Sequence, residues 1–594
     1  VKELIKNRVS RLRSVLCENR LDACVIFGAD PHLSEYLPER WQTRRFISGF
    51  TGSAGTVIIT AGKAALWTDS RYFLQAQNEL AGTGIDLVKL QVAGEPTPDE
   101  WLKLNLEREA RVGTDEWCVS VNQFRTLKGS LSSAGIYLAE AGDLPDRIWP
   151  DRPGLPEFPV FEHELKYAST ARKTKFESLC AELEKSGADC QIITALDDLA
   201  WTFNLRGTDV ECNPVFVGYG SISRNEQVLF TPLKKISAEL QAKLRSEGIL
   251  LKEYDDFVAY LHSLPEKTRL LVDPDRTSHA ILKHIPEHCL VVESLSVATR
   301  LKSRKSESEI AHIRQAMRKD GAAMVEFLYW LETRLGKIPM TEFTIAEKLI
   351  EFRSHQPEFK GISFYPIVGY REHGAVVHFH VTGQNALPIV PEGFLLFDSG
   401  GQYSDGTTDI TRTVALSALT RQQKRDFTLV LKGMISLTLA VFPVNTRGCQ
   451  LDILARKDLW RNGLNYGHGT GHGVGYFLNV HEGPMSIRQE FNDRVIEPGM
   501  VLSNEPALYR PGEYGLRTEN MMVCLKHETT PFGDFLCFDT LTLCPIDTKC
   551  IDKDLLNSEE TDWLNAYHER VFRELEPVLR TELKGFLKEL TRPI

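Results

Sequence analysis

The sequence predicts a mixed α/β (α+β) protein made of three successive segments. Three observations predict it. Helix-like and strand-like runs alternate twice across residues 1–302, a proline-rich interval separates the two passes, and the last segment holds two strand–turn–strand stretches that each carry a pair of carboxylates. At 594 residues the chain is too long for one core, and about 150 residues per domain gives three or four.

The first pass opens with residues 1–20, where Leu4, Ile5, Val9, Leu12 and Leu16 recur at helical spacing. ACVIFG (23–28) then reads as a buried strand. TVIIT (56–60) and AALWTD (64–69) read as two more, with Gly62 in the turn, and SRYFLQAQNEL (70–80) as a helix. Between Gly142 and Phe161 five prolines crowd together, Pro145, Pro150, Pro153, Pro156 and Pro159. Proline disfavours both helix interiors and central strands, so this is a linker.

The second pass repeats the first. A helical run at 169–186 leads into ADCQIIT (188–194), as helix 1–20 leads into LDACVIF (21–27). LAWTFNLRGTD (199–209) stands where RFISGFTGS stood. VFVGYG (215–220) and EQVLFT (226–231) read as strands joined by a turn at Ser221–Asn225. The pattern predicts a duplicated domain whose copies have changed role. The predicted segments are 1–153, 154–302 and 303–594.

The third segment opens at Ser306, which with Glu309 forms a capping box ahead of an apolar helical face, Ile310, Ile313, Met317, Met324, Leu328 and Leu331. A second helix starts near Thr341. ISFYPIVGY (362–370) and GAVVHFH (374–380) read as strands, 421–441 and 449–461 as helices, and a helical tail starts at Ser558.

Composition excludes several classes. The net charge is −10, with no Lys/Arg block to grip nucleic acid, and no apolar run approaches the roughly 20 residues that span a bilayer. Charges interrupt the N-terminal helix, so it has no signal-peptide core. Twelve scattered cysteines without a CxxC pair read as reduced thiols of a cytoplasmic protein.

The chemistry concentrates between Phe394 and Glu519. Asp398 ends the apolar run FLLF, and Asp409 lies in TTDITRTV, with the turn formers GGQYSDG between them. A hairpin centred on Tyr403–Ser404 sets the two aspartates directly opposite each other. Like charges at that spacing destabilise a sheet unless a cation sits between them. Glu505 and Glu519 flank YRPGEYG in the same manner, with Gly512 at the midpoint. HGTGH places His468 and His472 four apart, but its glycines argue for a strand or loop rather than a helix. His481 follows in NVHEGP, and His378 precedes in AVVHFH. One imidazole beside four carboxylates is a hard, oxygen-rich set that suits Mn²⁺, Co²⁺ or Zn²⁺. Two such ions lower the pKa of a water held between them and polarise a scissile carbonyl.

These motifs resemble the pita-bread metallopeptidase family, on its Xaa-Pro aminopeptidase branch. The resemblance lies in DSGGQYSDGTTDITRT (398–413), HGTGHGVGYFLNVHEGP (468–484), and the NEP (504–506) and RTEN (517–520) segments. RFISGFTGSAG, LWTDSRYF, WTFNLRGTDVECNPVF and DTLTLCPIDTKCID extend it to the long three-domain form, over essentially the whole chain. It implies two creatinase-like N-terminal domains followed by a pita-bread catalytic domain, and two divalent ions, manganese first with zinc or cobalt as alternatives. By the same resemblance Asp398 holds one ion, Asp409 and Glu519 bridge both, and His472 and Glu505 complete the other, with Glu505 also a general base. His378, His468 and His481 match the substrate-side histidines, and Arg517 an arginine that orients a carboxylate ligand.

The implied substrates are peptides with proline in second place, cleaved before the proline, and the implied assembly is a homodimer that uses the helix of Trp460. The chain departs from many relatives at Ala507, where a glycine is expected, and His373 and His380 flank His378. Prolidase, a dipeptidase with the same ligands, is the competing enzyme, and a metal-free pita-bread binding module the competing non-enzyme.

Overall fold

The structure is a computed structural model that describes residues 1–594. The chain divides into two compact units. The first holds residues 1–165 and 170–301, the second residues 166–169 and 302–594.

The first unit contains two six-stranded sheets. One is built from Ala23–Phe27, Thr56–Thr60, Ala64–Thr68, Asp86–Lys89, Arg111–Thr114 and Tyr137–Glu140. In strand order the fourth, third, second and first lie side by side, then the fifth and sixth. The other uses Cys190–Ile193, Tyr219–Ser223, Gln227–Phe230, Ile249–Lys252, Arg269–Val272 and Leu290–Glu293 in the corresponding order. The pairing senses also match. In both, the first three strands run antiparallel and the remaining neighbours parallel. The duplication read from the sequence is therefore present in topology. Helices Lys2–Glu18 and Arg172–Lys185 precede the equivalent first strands, and Ile5, Val9, Leu12 and Leu16 bury the apolar face of the former.

One strand boundary differs from expectation. VFVGYG was expected to be a strand, but only Tyr219–Ser223 forms one, and the turn falls after Ser223. The reason is Asp209, whose Oδ2 accepts the Val217 N–H at 2.6 Å and removes it from a ladder.

After residues 302–306 the second unit runs into the helix Glu307–Arg334, capped by Ser306 through the expected box with Glu309. Thr341 caps Glu342–Ser354. A six-stranded sheet carries Gly471–Gly473 and Val501–Asn504 as neighbours, flanked by Glu482–Ile487 and Asn520–Thr530. A separate three-stranded sheet sets Phe394–Ser399 between Ile367–Tyr370 and Ile410–Ala415. Helix Arg421–Thr438 buries Phe427, Val430, Leu431, Met434 and Ile435 in the largest core cluster, which also takes in Leu516, Met521 and Val523. Each such side chain contributes about 1.5–3 kcal/mol of burial, so the helix is fixed by its apolar face and forms a rigid wall behind the carboxylate strands.

GAVVHFH does not form the expected strand. Residues Arg371–Ala375 make a 3₁₀ turn, the Val376 N–H donates to His373 O, and the Phe379 N–H donates to Val376 O. Turn bonds thus use the groups a ladder would need. Only a single bridge joins Ile367 to His380. No helix is long and apolar enough to cross a membrane, and all twelve cysteines are free thiols.

Candidate active site

Asp398 lies near the end of the fully buried strand Phe394–Ser399. Direct opposition of Asp398 and Asp409 is not found. The turn falls at Ser404–Asp405, since Tyr403 pairs with Gly406, and Thr411 stands opposite Asp398. Asp409 lies two residues before Thr411, in the gap between Gly406–Thr407 and Ile410–Ala415. It is thus a diagonal neighbour on the same face, within reach but offset. The ladder breaks there because Thr408 turns its polar groups elsewhere. Its N–H donates to Gly401 O, and its carbonyl accepts from Ser363 Oγ at 2.8 Å.

The glutamate hairpin is centred where the spacing placed it. Ala507–Arg510 pairs with Tyr514–Arg517, and Asn504 pairs with Asn520, so both ladders are symmetric about Gly512, which adopts φ +75°. Glu505 and Glu519 occupy the break between the ladders. Ala507 is buried and pairs regularly with Arg517, so the alanine causes no irregularity.

The imidazoles come from a glycine-threaded strand. A Cβ on Gly471 would lie 2.1 Å from Ser503 O, and one on Gly473 2.2 Å from Glu482 O, so only glycines let Gly471–Gly473 fit between its neighbours. His472 Nδ1 lies 2.9 Å from Gly473 O. A carbonyl only accepts, so Nδ1 carries a proton and Nε2 is the nitrogen turned to the carboxylates, 3.4 Å from Asp409 Oδ2 and 3.6 Å from Glu505 Oε1. The His481 ring stands edge-on to His472 with centroids 4.4 Å apart. His468 Nδ1 lies 2.7 Å from Gly469 O, its Nε2 2.8 Å from the Tyr509 hydroxyl, and Glu505 Oε2 is 4.0 Å away. His378 is half-buried just beyond the 3₁₀ turn. Its neighbour His373 is tied to Glu342 at 2.8 Å, an anchor for that turn.

Arg517 organises the carboxylates with all three of its nitrogens. Nη2 donates to Asp398 Oδ2 at 2.6 Å, Nε to Thr411 Oγ1 at 3.0 Å, and Nη1 to the Tyr509 hydroxyl at 2.6 Å. Thr411 in turn donates to Glu519 Oε2 at 2.8 Å. Tyr509 and Thr411 escaped the sequence reading. Neither is an unusual residue in its local pattern, and only the hairpin registers could have pointed to them.

Four carboxylates thus share a buried pocket with one guanidinium and one imidazole. Burial pushes Asp398 up to about 6 and Glu505 to about 7, against the opposing pull of Arg517 on both and of His472 on Glu505, while Asp409 adds to both rises. Glu519 rises well above the usual carboxylate range through burial together with Asp409, Asp398 and Glu505. Burial disfavours charge on His472, but hydrogen bonding to Asp409 and the charge of Glu505 outweigh it and raise its pKa to about 9. One ligand atom each from Asp409, His472 and Glu519 lies within 4.8 Å of the others. Asp398 Oδ1 is buried with no hydrogen-bond partner. An orphaned carboxylate oxygen and a surplus of buried negative charge are what a divalent-cation site requires, and the donor set fits hard or borderline ions.

A pita-bread fold with a carboxylate–imidazole cluster of this kind defines a metallohydrolase. The sequence matches the model of metallopeptidase family M24 over residues 311–526 and that of the C-terminal region of this peptidase over 534–594. Creatinase/prolidase N-terminal domain models match 8–147 and 151–309. The chain belongs to metallopeptidase family M24. A probable Xaa-Pro aminopeptidase P of Coprinopsis cinerea is 38% identical over 99% of this chain and 98% of its own. Aminopeptidase P2 of Arabidopsis thaliana is 37% identical over 100% of this chain and 89% of its own. Among solved structures, X-prolyl aminopeptidase from Caenorhabditis elegans, described as a cytosolic enzyme with a di-nuclear active site, superposes with a TM-score of 0.95. It is 33% identical and covers 99% of this chain and 100% of its own. An Xaa-Pro dipeptidase from Bacillus anthracis shares the fold over 64% of this chain and 99% of its own, at 23% identity and a TM-score of 0.51.

Proposed function

We propose that this chain is a metal-dependent aminopeptidase that removes the N-terminal residue from peptides with proline in second place. The observation that carries the reading is the convergence of Asp409, His472 and Glu519 in a chain similar over its whole length to an X-prolyl aminopeptidase with a di-nuclear site. Asp398, Asp409, His472, Glu505 and Glu519 would hold two divalent ions. Asp409 and Glu519 would serve both, with manganese the first choice and zinc or cobalt the alternatives. When bound, such ions activate water and polarise a peptide carbonyl.

The protein's own groups do the rest. Arg517 holds Asp398 directly and Glu519 through Thr411, so both carboxylates keep fixed orientations. The Gly473 carbonyl fixes the His472 tautomer. Glu505, 4.0 Å from His468 Nδ1 and 3.6 Å from His472 Nε2, is assigned as the group that accepts a proton at the scissile bond and returns it. Arg517 donates to the Tyr509 oxygen, so the phenol proton points to His468 Nε2 and fixes that ring. His378 and His481 are assigned to the substrate side, where an imidazole steadies the oxyanion or passes a proton. The Xaa–Pro bond is a tertiary amide without an N–H, so these histidines must bind it through its carbonyl and the peptide N-terminus.

The proposal extends to organisation. Segments 1–153 and 154–302 are assigned as two creatinase-like domains related by duplication, supported by their matching sheets, and 303–594 as the catalytic domain. A cytoplasmic homodimer is proposed, with the helix Gly448–Trp460 at the interface. The exposed Ile453 and Trp460 on that helix support it.

The deciding test compares the dipeptide Arg-Pro with Arg-Pro-Pro on the Mn²⁺-loaded protein. Preference for the tripeptide supports the aminopeptidase. Exclusive cleavage of the dipeptide supports a prolidase, and cleavage of neither a binding module.

A further inference from the structure

Lys302 and Lys305 grip the two oxygens of a single carboxylate. Lys302 Nζ lies 3.0 Å from Glu482 Oε2, and Lys305 Nζ donates to Oε1. All three side chains are 1% exposed and belong to the second unit. Buried ion clusters are expensive, and apolar replacements of the same volume are often neutral or stabilising. Stability alone therefore gives no reason for this one, and its location does.

Glu482 directly follows His481, and it pairs across the sheet with Gly473, which directly follows His472. The lysines come from the short segment that opens the second unit, and that segment also holds a second strand. The Lys305 N–H donates to Gly499 O at 2.9 Å, and Arg304 bridges to Met500. The Arg304 guanidinium lies 3.2 Å from Glu497 Oε2. Gly499 adopts φ +87°, and a Cβ there would lie 2.5 Å from Lys305 O, so the approach is as close as a backbone permits. Gly499 and Met500 lead into Val501–Asn504, the strand that delivers Glu505. One four-residue segment therefore holds both the strands bearing His472 and His481 and the strand ending at Glu505.

We infer that Lys302, Lys305 and Glu482 form a positioning clasp that fixes the imidazole strands relative to the Glu505 strand, and so sets the spacing of the ion-binding groups. The inference rests on the two-ion reading of the site. None of the three residues touches the reacting atoms, and each acts through His472, His481 or Glu505. Second-layer partners of this kind typically govern about 10–100-fold in metal affinity or activity.

The test uses the full chain and two readouts, Co²⁺ affinity by visible absorption and kcat and KM on Arg-Pro-Pro. The variants are Glu482→Gln, Lys305→Met and the double variant, with near-UV circular dichroism reporting the folded fraction. Each single variant is expected to weaken Co²⁺ binding and lower kcat by about 10–100-fold while remaining folded, with KM within threefold. The double variant should be no worse than the worse single one, because both changes break the same pair. Folded single variants within twofold of the parent in both readouts overturn the clasp, as does a double variant whose losses multiply. Should Glu482→Gln fail to fold, Lys302→Met, which removes the other grip on the Glu482 carboxylate, reads the clasp. Weaker Co²⁺ binding there supports the inference, and unchanged binding overturns it. A parent chain that binds Co²⁺ but cleaves nothing would defeat the proposed activity, and the affinity readout would still judge the clasp.

Discussion

The guanidinium of Arg517 donates through Nη2 to Oδ2 of Asp398 at 2.6 Å, while Oδ1 of the same carboxylate is buried without a protein partner. One oxygen is thereby held and the other left for a ligand. Because Arg517 also donates to Thr411 and Tyr509, its planar fork fixes three groups at once, which a lysine ammonium on a flexible stem cannot do. Arg517→Lys should therefore weaken Co²⁺ binding and lower kcat/KM by about 10–100-fold although the charge is kept. A titration followed by visible absorption checks this, and parental affinity in the lysine variant would refute the assignment.

Glu519 is the most crowded of the carboxylates, pushed well above its usual range by burial and by Asp409, Asp398 and Glu505. A neutral amide there removes the cost of ionising this position beside the other carboxylates in the ion-free protein. Glu519→Gln should thus melt at or above the parent temperature after chelator treatment, yet lose bound metal, the stabilisation added by metal, and turnover. Scanning calorimetry with and without Mn²⁺ separates these effects. An equal metal-induced shift in both proteins would exclude Glu519 as a ligand.

Ion binding should release protons. In the ion-free protein Asp398 titrates at about 6 and Glu505 at about 7, both raised mainly by burial. His472, held at about 9 by Asp409 and Glu505 against the effect of burial, is charged at pH 7. Each must be deprotonated to act as a ligand, so affinity should rise between pH 6 and 9, with about one proton or more released per chain at pH 7. Calorimetric titration in buffers of different ionisation enthalpy measures the number, and zero release or net uptake is the contrary outcome.

A second pH effect lies away from the site. His568 is fully buried, its Nε2 accepts the Ile546 N–H at 3.1 Å, and its Nδ1 is buried without a partner. Burial, with Arg412 nearby, lowers its pKa to about 4. The unfolded chain protonates this residue near 6.5 while the folded chain refuses the proton. Its contribution to stability is therefore complete above about pH 6.5, and it is lost as pH falls towards 4, by about 3 kcal/mol over that window. His568→Gln should flatten the fall in the urea midpoint between pH 6.5 and 4. Identical slopes in the two proteins would show that His568 takes up its proton in the folded state.

The sequence carried the parts of this site that depend on local symmetry. Glu505 and Glu519 are equidistant from Gly512, and a regular hairpin preserves that symmetry, so their meeting was legible. Asp398 and Asp409 were legible as a pair but not as a register, because the ladder breaks at Thr408–Asp409 and the turn lies one residue further along. The stretch before His378 looked like a strand because its apolar residues resemble one, yet turn bonds consume its backbone groups. Lys302 and Lys305 lie 177 or more residues from Glu482, and no spacing rule joins them. The duplicated sheets were readable despite weak identity, since helix-then-strand order survives when residues change.

The most direct test of a two-ion, proline-directed site is hydrolysis of Arg-Pro-Pro against Arg-Ala-Ala by chelator-treated protein titrated in turn with Mn²⁺, Co²⁺ and Zn²⁺. Release of arginine from the proline peptide alone, absent without metal and saturating at two ions per chain, is the predicted result. Cleavage that persists in chelator, or no cleavage with any of the three ions, would contradict it.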